Sequence, residues 1–399
     1  MLPMRQGTDA RKVLKERDSV QERVGKVHAV NVDLETFAVT GLLMLALSLP
    51  SFNKYVLSSL TFSVLVHTKH LLAYAAPPLV AHLLLQPHGH HKLSLVLKSG
   101  AQYASVALFT TMISLGPFWY CGVLDVLFFR LAPFGRGLVH AFWAPNLWAI
   151  YLAVEKAITA TTFGRTGSFA GGLLGQSDFH SLPSPNPTLC FALVALGALP
   201  GIASAAVSSR TVDLVRSVCQ ALSASFMVGW HVHEKAAIMF TLPLVPLSFI
   251  TSADAKTVVA LSTLAGYSVH HLLHEPREQA VKAVSLLFSH IATQQLGVAM
   301  HGKAAKLNRA EHVYFASLVT LEVYCITLHP SITYSLPYLP NILRSVVAAL
   351  GLMYVHGRLT IQCVALVAAK KEVRMNPFDE NPEEMEEADE ENVIAQDEK

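Results

Sequence analysis

Thirty-one consecutive residues, Phe179 to Ser209, contain no Asp, Glu, Lys or Arg. That run exceeds the roughly 20 apolar residues with which a helix crosses the hydrocarbon core of a bilayer, so lipid is the expected solvent of this chain. Further uncharged runs at 99–124, 137–154, 236–253, 323–343 and 359–369 repeat the signal, and weaker candidates lie near 37–49, 56–66, 71–86, 257–273, 281–300 and 312–328. Together they predict roughly ten spans by hydropathy. The segments are continuously apolar rather than alternating, which favours helices over a barrel, the two structures that satisfy every backbone group in lipid. The expected fold class is therefore all-α, a polytopic membrane helix bundle.

Composition agrees, with 15% charged and 52% hydrophobic residues against about 25% charged in an ordinary soluble domain. The net charge of +2 conceals a strong asymmetry, because 18 of the 28 acids fall in residues 1–36, at 372 or in the last 24 residues, leaving 10 acids against 19 Lys and Arg for 37–369. Three regions follow: a polar leader (1–36), a membrane body (37–369) and an acidic tail (370–399) that repels itself and is expected to be disordered. The leader has no apolar core of the kind a secretory signal needs. Lys370, Lys371 and Arg374 predict that the last helix ends in the cytosol, and Lys303, Lys306 and Arg309 predict the same side for their loop. The five cysteines are dispersed without a CxxC pair, which reads as packed thiols. Residues 162–187, rich in Gly, Ser and Pro, read either as a substrate-facing loop or as a connector.

Two motifs carry chemistry. Phe226-Met-Val-Gly-Trp-His-Val-His-Glu-Lys235 places His231, His233, Glu234 and Lys235 between two hydrocarbon runs, and ionisable groups in such surroundings are a functional site by default. On a continuous helix His231 and His233 would point about 200° apart, whereas in a broken segment both reach one ligand face. Glu234 and Lys235 either serve a ligand or pair with each other. In the second motif, Phe128 to Trp148, Pro133, Gly135 and Gly137 interrupt the helix between Arg130 and Arg136, and His140, Trp143, Asn146 and Trp148 follow. Guanidinium groups and Trp rings of this kind make either a cradle for a phosphate and a sugar or an interfacial belt with two snorkelling arginines. His88, His90 and His91 cluster without a carboxylate or Cys beside them, and His270, His271 and His274 read as packing residues, so no metal site is expected.

The stretches RLAPFGRGLVHAFWAPNLWAIY, GLLGQSDFHSLPSPNP and SFMVGWHVHEKAAIMFTLPLVPLS, in this order and spacing, resemble the endoplasmic-reticulum glucosyltransferases that use dolichyl phosphate glucose. His140-Ala-Phe-Trp-Ala-Pro-Asn146 and Gly229-Trp-His231 are similar to the member that adds the second glucose, while Val232-His-Glu-Lys235 is common to it and the first-glucose member. Leu321-Glu-Val-Tyr-Cys325 and Leu336-Pro-Tyr-Leu-Pro340 also fit, so the resemblance covers about residues 40–365.

The resemblance implies a GT-C-type bundle in the endoplasmic-reticulum membrane and inverting transfer on its lumenal side. Dolichyl phosphate glucose would be the donor and a monoglucosylated dolichyl-diphosphate oligosaccharide the acceptor. No metal, cofactor or nucleic acid is implied. His233 and Lys235 would hold the donor phosphate, with Arg130 or Arg136 as a second clamp, and His231, Glu234 and Trp143 complete the expected substrate site. A carboxylate in the first lumenal loop would act as general base. That loop lies in a region expected upstream of this chain, which resumes the family's pattern at Gly41, and leaves Asp33 or Glu35 as substitutes. The alternatives carried are the first-glucose enzyme, a non-catalytic membrane protein that keeps the donor pocket, and a transporter, which would more often show paired repeats and helices broken in both halves.

Overall fold

The structure is a computed structural model that describes residues 35–87, 93–131, 137–140, 143–163, 179–270, 278–332 and 339–375. Nearly all of the leader, residues 376–399 of the tail, the His88–His91 cluster, most of the 162–187 segment, Arg136, His271 and His274 lie outside the described residues.

Helices account for all regular structure among the described residues. In chain order they are α1 (Glu35–Phe52), α2 (Tyr55–Thr68), α3 (Ala76–Leu85), α4 (Leu93–Tyr120), α5 (Leu124–Leu131), α6 (Leu147–Phe163), α7 (Pro187–Val207), α8 (Thr211–Val228), α9 (Ala237–Thr241), α10 (Ser252–Val269), α11 (Gln279–His301), α12 (Arg309–Val323), α13 (His329–Ile332) and α14 (Leu339–Met375). A polytopic α-helical membrane protein is the result. Four helices (α1, α7, α12 with its continuation to Ser331, and α14) are long and apolar enough to cross a bilayer, and the α4–α5 pair, bent by 119°, makes a fifth if it is one span.

Roughly ten spans were expected from hydropathy, and the shortfall has local causes. The 236–253 run is broken into α9 and a 3₁₀ helix at Leu242–Phe249, where Pro243 and Pro246 each remove a backbone donor. In the 137–154 run the described residues 137–140 and 143–146 are not helical, and α6 begins only at Leu147. The 56–66 and 71–86 candidates form apolar helices too short for the span criterion. The 359–369 run is not separate but belongs to α14, which at 37 residues is about 55 Å long and continues past Ala369 to Met375.

The chain divides into two compact units, one of residues up to Ala73 with Lys98–Ala132, the other of Tyr74–Leu97 with Pro133 onward. Within the first, Leu43, Leu47 and Leu65 are buried, the Ser58 hydroxyl donates to the Ala46 carbonyl at 2.6 Å, and the Ser63 and Thr110 hydroxyls join α2 to α4.

The second unit is organised by close helix packing. On α7, Gly197, Gly201 and Ala205 recur every fourth residue, the small-residue stripe that lets helices approach in lipid. A Cβ at Gly201 would lie 2.5 Å from the Ser217 carbonyl of α8. Pro200 interrupts α7's own ladder beside it, and the Gly201 N–H donates instead to the buried Gln220 side chain at 3.1 Å. Gln220 also donates to Gly197 O (2.8 Å) and to Thr360 of α14 (3.2 Å), so one amide ties three helices.

The α10–α11 pair, tied at Thr263–His290 and His270–Ser285, and the α12–α14 pair, tied at Glu311–Arg358 and Glu322–Arg344, run antiparallel. At one end Arg216 of α8 bonds Asp213 and Asp254, and Arg358 of α14 bonds Glu311 of α12. The opposite end gathers the C-termini of α8, α10 and α12 with the N-termini of α11 and α14, through contacts described below. Large side chains such as Leu196 and Leu199 of α7 and Val284 and Phe288 of α11 stay exposed, an apolar surface that lipid would cover.

Replacing Gly201 with Ala should therefore destabilise the second unit by about 1–3 kcal/mol through overpacking. Thermal unfolding of the purified protein in nanodiscs checks this, and an unchanged Tm contradicts it.

Candidate functional site

α8 ends at Val228, and Gly229 begins the turn because a Cβ there would meet Ser225 O at 2.3 Å and Val232 at 2.9 Å. An irregular stretch follows up to the 3₁₀ turn Glu234–Ala236. His231 stands at φ 52° and Trp143, on the facing strip, at φ 48°. Non-glycine residues in the left-handed region cost of order 1–3 kcal/mol each and persist where the surroundings over-determine them.

Those surroundings are the second half of the other motif. The strip 137–148 is laced onto 226–231: Asn146 Nδ2 donates to Phe226 O at 3.1 Å, Trp148 Nε1 to Gly229 O at 2.9 Å, His231 N to Leu138 O at 2.9 Å and His231 Nδ1 to Gly137 O at 2.8 Å. Beneath them Leu138, Val139, Trp143, Trp148 and Leu152 form a buried cluster, with Trp230 packed against it. The two motifs, about ninety residues apart in sequence, fold as one object.

That object holds three imidazoles and a carboxylate. His140 and His233 stack with ring centroids 3.7 Å apart, and His231 stands edge-on to His140 at 5.8 Å. Glu234, with no exposed surface, places Oε1 3.4 Å from His233 Nδ1 and Oε2 3.6 Å from His140 Nδ1. Burial pushes the Glu234 carboxyl pKa up, but His140 and His233 outweigh it and hold the group well below its ordinary value of 4.5. It stays ionised at neutral pH, favouring N–H at both Nδ1 atoms. Donor atoms of His140, His233 and Glu234 lie within 4.8 Å of one another, a donor set of the type that binds zinc. In the arrangement seen, each Nδ1 faces its own carboxylate oxygen, His233 within hydrogen-bond distance and His140 at ion-pair distance.

The expected site residues are distributed unevenly. His231, His233 and Glu234 come together. Lys235 follows immediately with its side chain exposed and, among the described residues, forms no ion pair, so it does not pair with Glu234. Trp143 is 6% exposed and sits in the supporting cluster with Lys156 Nζ 5.6 Å from its ring centre. Arg130 is exposed on α5, in the other unit. Glu35 of α1 accepts from Lys69 at 2.8 Å, and Asp33 lies outside the described residues.

Two residues were missed from sequence. His140 was read as part of a motif and not as a site residue, although its co-occurrence with the His233 motif was the available signal. Glu155 of α6, fully buried, accepts from the backbone N–H groups of His180 (2.8 Å), Ser181 (3.0 Å) and Leu182 (2.7 Å) and from the Thr159 hydroxyl (2.9 Å). It anchors the end of the Gly- and Ser-rich segment on α6, and nothing in the sequence marks a carboxylate whose partners are all main-chain or hydroxyl.

The chain matches the ALG6, ALG8 glycosyltransferase family over residues 37–359. It belongs to that family. Among its relatives, an Arabidopsis thaliana protein is 33% identical over 341 residues, covering 79% of this chain and 66% of the relative, and a Mus musculus protein is 32% identical over 344 residues, covering 80% and 65%. Both bear the name dolichyl pyrophosphate Glc1Man9GlcNAc2 α-1,3-glucosyltransferase. A Drosophila melanogaster protein named a probable enzyme of the same description is 32% identical over 353 residues, covering 83% and 67%. The chain thus spans about two thirds of the length of these relatives. The family match takes in both site motifs, including the strip around His140.

Because the Glu234 pKa is lowered on folding, its contribution to stability is present above about pH 4.5 and is lost as the pH falls toward the folded-state value. The wild type should exceed Glu234→Gln in Tm at pH 7, keep that margin down to about pH 4.5 and lose it below. A margin independent of pH would show that the carboxylate charge does not hold the two imidazoles.

Proposed function

We propose that the protein transfers glucose from dolichyl phosphate glucose to the monoglucosylated lipid-linked oligosaccharide Glc1Man9GlcNAc2-diphosphate-dolichol, forming an α-1,3 bond with inversion, in assembly of the N-glycan precursor. One observation carries the reading: His140, from the stretch that resembles the second-glucose member, and His233, from the stretch shared by both members, meet on a single buried carboxylate. The printed names of the relatives support the acceptor. A GT-C-like bundle in the endoplasmic-reticulum membrane is part of the proposal, with the His140–His233 end lumenal. Lys370 and Lys371 at the far end of α14 favour the cytosol and support that orientation.

In this mechanism the acceptor hydroxyl oxygen attacks the anomeric carbon of the donor from the face opposite its phosphate. The bond from that carbon to the phosphate oxygen breaks, its electron pair stays on the phosphate, and the hydroxyl proton passes to a carboxylate base that is not assigned to a residue of this chain. Phosphate is a good leaving group, so positioning and electrostatic stabilisation of the charge that grows on it are what the protein must supply. His233, half exposed, and Lys235 offer donors to that phosphate. Glu234 orients His233 and His140 without touching the substrate, and Trp143 shapes the strip beneath them. His231, held by Gly137 O, stands edge-on to His140 as part of the same expected substrate site.

Two experiments check the reading. In cells lacking the second-glucose enzyme, expression of the full-length protein should convert the monoglucosylated lipid-linked intermediate to the diglucosylated one, and rescue restricted to cells lacking the first-glucose enzyme would contradict the acceptor assignment. His233→Ala and Lys235→Ala should each lower kcat/KM at limiting donor about ten- to a hundredfold, the value of a charge-assisted hydrogen bond, with expression unchanged. Normal turnover would return both residues to a structural role.

A further inference from the structure

Four helices bury a charge cluster that the proposed mechanism does not use. Glu322 of α12 accepts two bonds from Arg344 of α14, Nε at 2.7 Å and an Nη at 2.8 Å. It also accepts from Tyr267 OH of α10 at 2.8 Å, and Lys282 Nζ of α11 lies 3.2 Å away. Four contacts exhaust the two oxygens of the carboxylate, yet the cluster keeps two cations against one anion. Lys282 is 3% exposed and, among the described residues, its ammonium meets Glu322 alone. Among the described residues Glu322 is thus the single carboxylate that both cations meet. A buried cation without a counter-charge of its own is costly, and among the described residues this cluster sets one carboxylate against two cations.

Three independent features mark the same place. His270, 6% exposed, has Nδ1 buried without a hydrogen-bond partner, while its Nε2 is 3.2 Å from Ser285, one turn along α11 from Lys282. The backbone immediately after Glu322 forms a π-helical turn at Tyr324–Leu328, a distortion frequent at functional sites. A cavity of about 160 Å³ is lined by Thr263, Leu286, His290, Phe315 and Leu318. Thr263, Leu286 and Leu318 each lie four residues, one helical turn, from Tyr267, Lys282 and Glu322, so an apolar hollow adjoins the cationic cluster on three helices. The cluster also neighbours the histidine site, because Tyr267 bonds Glu322 while the next residue, Ser268, donates to the Glu234 carbonyl at 3.2 Å.

We propose that Lys282 and Arg344, clasped on Glu322, form a second anion site that takes the phosphate of a polyprenyl-linked substrate, with the adjoining isoprene units in the cavity. The polyprenyl phosphate class rests on the proposed function; the need for an anion rests on the cluster itself. Donor monophosphate and acceptor diphosphate present the same chemistry here, and the test separates them. Glu322 lies in the Leu321–Cys325 stretch, whose chemical role the sequence alone left undefined.

The test is binding of dolichyl phosphate, dolichyl diphosphate, neutral dolichol and phosphatidylglycerol to the purified protein in zwitterionic nanodiscs, for wild type, Lys282→Gln and Lys282→Arg, with Tm recorded for each. Lys282→Gln should weaken dolichyl phosphate or dolichyl diphosphate about tenfold or more and leave dolichol unchanged, and the phosphate that responds identifies the source. Its Tm should hold, because the neutral Glu322–Arg344 pair remains, and Lys282→Arg should bind as the wild type does. Unchanged binding of both phosphates overturns the site, as does an equal loss for phosphatidylglycerol or for dolichol. If Lys282→Gln unfolds, failure of a folded Lys282→Arg to bind either phosphate overturns it instead. Binding is read without glucosyl transfer, so normal phosphate binding by Lys282→Gln alongside transfer lost in His233→Ala removes this site and leaves the proposed function standing.

Discussion

A carboxylate cut off from water keeps its charge only when nearby polar groups replace the lost hydration, and Glu234 meets two imidazoles from different parts of the chain, His233 at hydrogen-bond distance and His140 at ion-pair distance. His233 precedes it in sequence, whereas His140 arrives on a strip more than ninety residues earlier. Holding the strip against α8 fixes the rest of the site: Asn146 and Trp148 bond the last carbonyls of α8, His231 is driven into a left-handed conformation, and Trp143 is turned under the imidazoles. The strain at His231 and Trp143 is sustained by backbone hydrogen bonds on one side and a packed aromatic layer on the other. Removing the carboxylate charge should loosen that assembly before it affects the helices themselves.

The helices are held by other means. Lipid gives little apolar driving force between helices, so packing and interhelical hydrogen bonds carry the load, which is the role of Gly201 and Gln220 between α7, α8 and α14. The buried charges then sort by end. Asp213, Arg216 and Asp254, with Glu311 and Arg358, join helices at one end and include enough carboxylates to satisfy their cations. At the other end stand the histidine site and the Lys282–Glu322–Arg344 cluster, where cations exceed carboxylates.

The all-helical membrane class was legible in the uncharged runs, because a long apolar segment has few alternatives in lipid. The number of spans was not, since hydropathy does not register that Pro243 and Pro246 break the 236–253 run or that 359–369 continues a helix begun at Leu339. The break at Gly229 was left open by the two-residue spacing of His231 and His233, which would point apart on a helix and can share a face only off one. Partners from distant sequence were invisible: Glu155 caught by the main chain of 180–182 and Lys282 brought to Glu322 both depend on how helices stack.

The central claim, that His140 and Glu234 act as one unit, is tested most directly by a double-mutant cycle. His140→Ala, Glu234→Gln and the double variant should be compared with wild type for dolichyl phosphate glucose binding at pH 7. Coupled residues sharing a hydrogen-bond network show interaction energies of about 0.5–3 kcal/mol, so the double variant should lose much less affinity than the two single losses combined. Strictly additive losses would contradict the account, because His140 would then owe nothing to the carboxylate that is said to hold it.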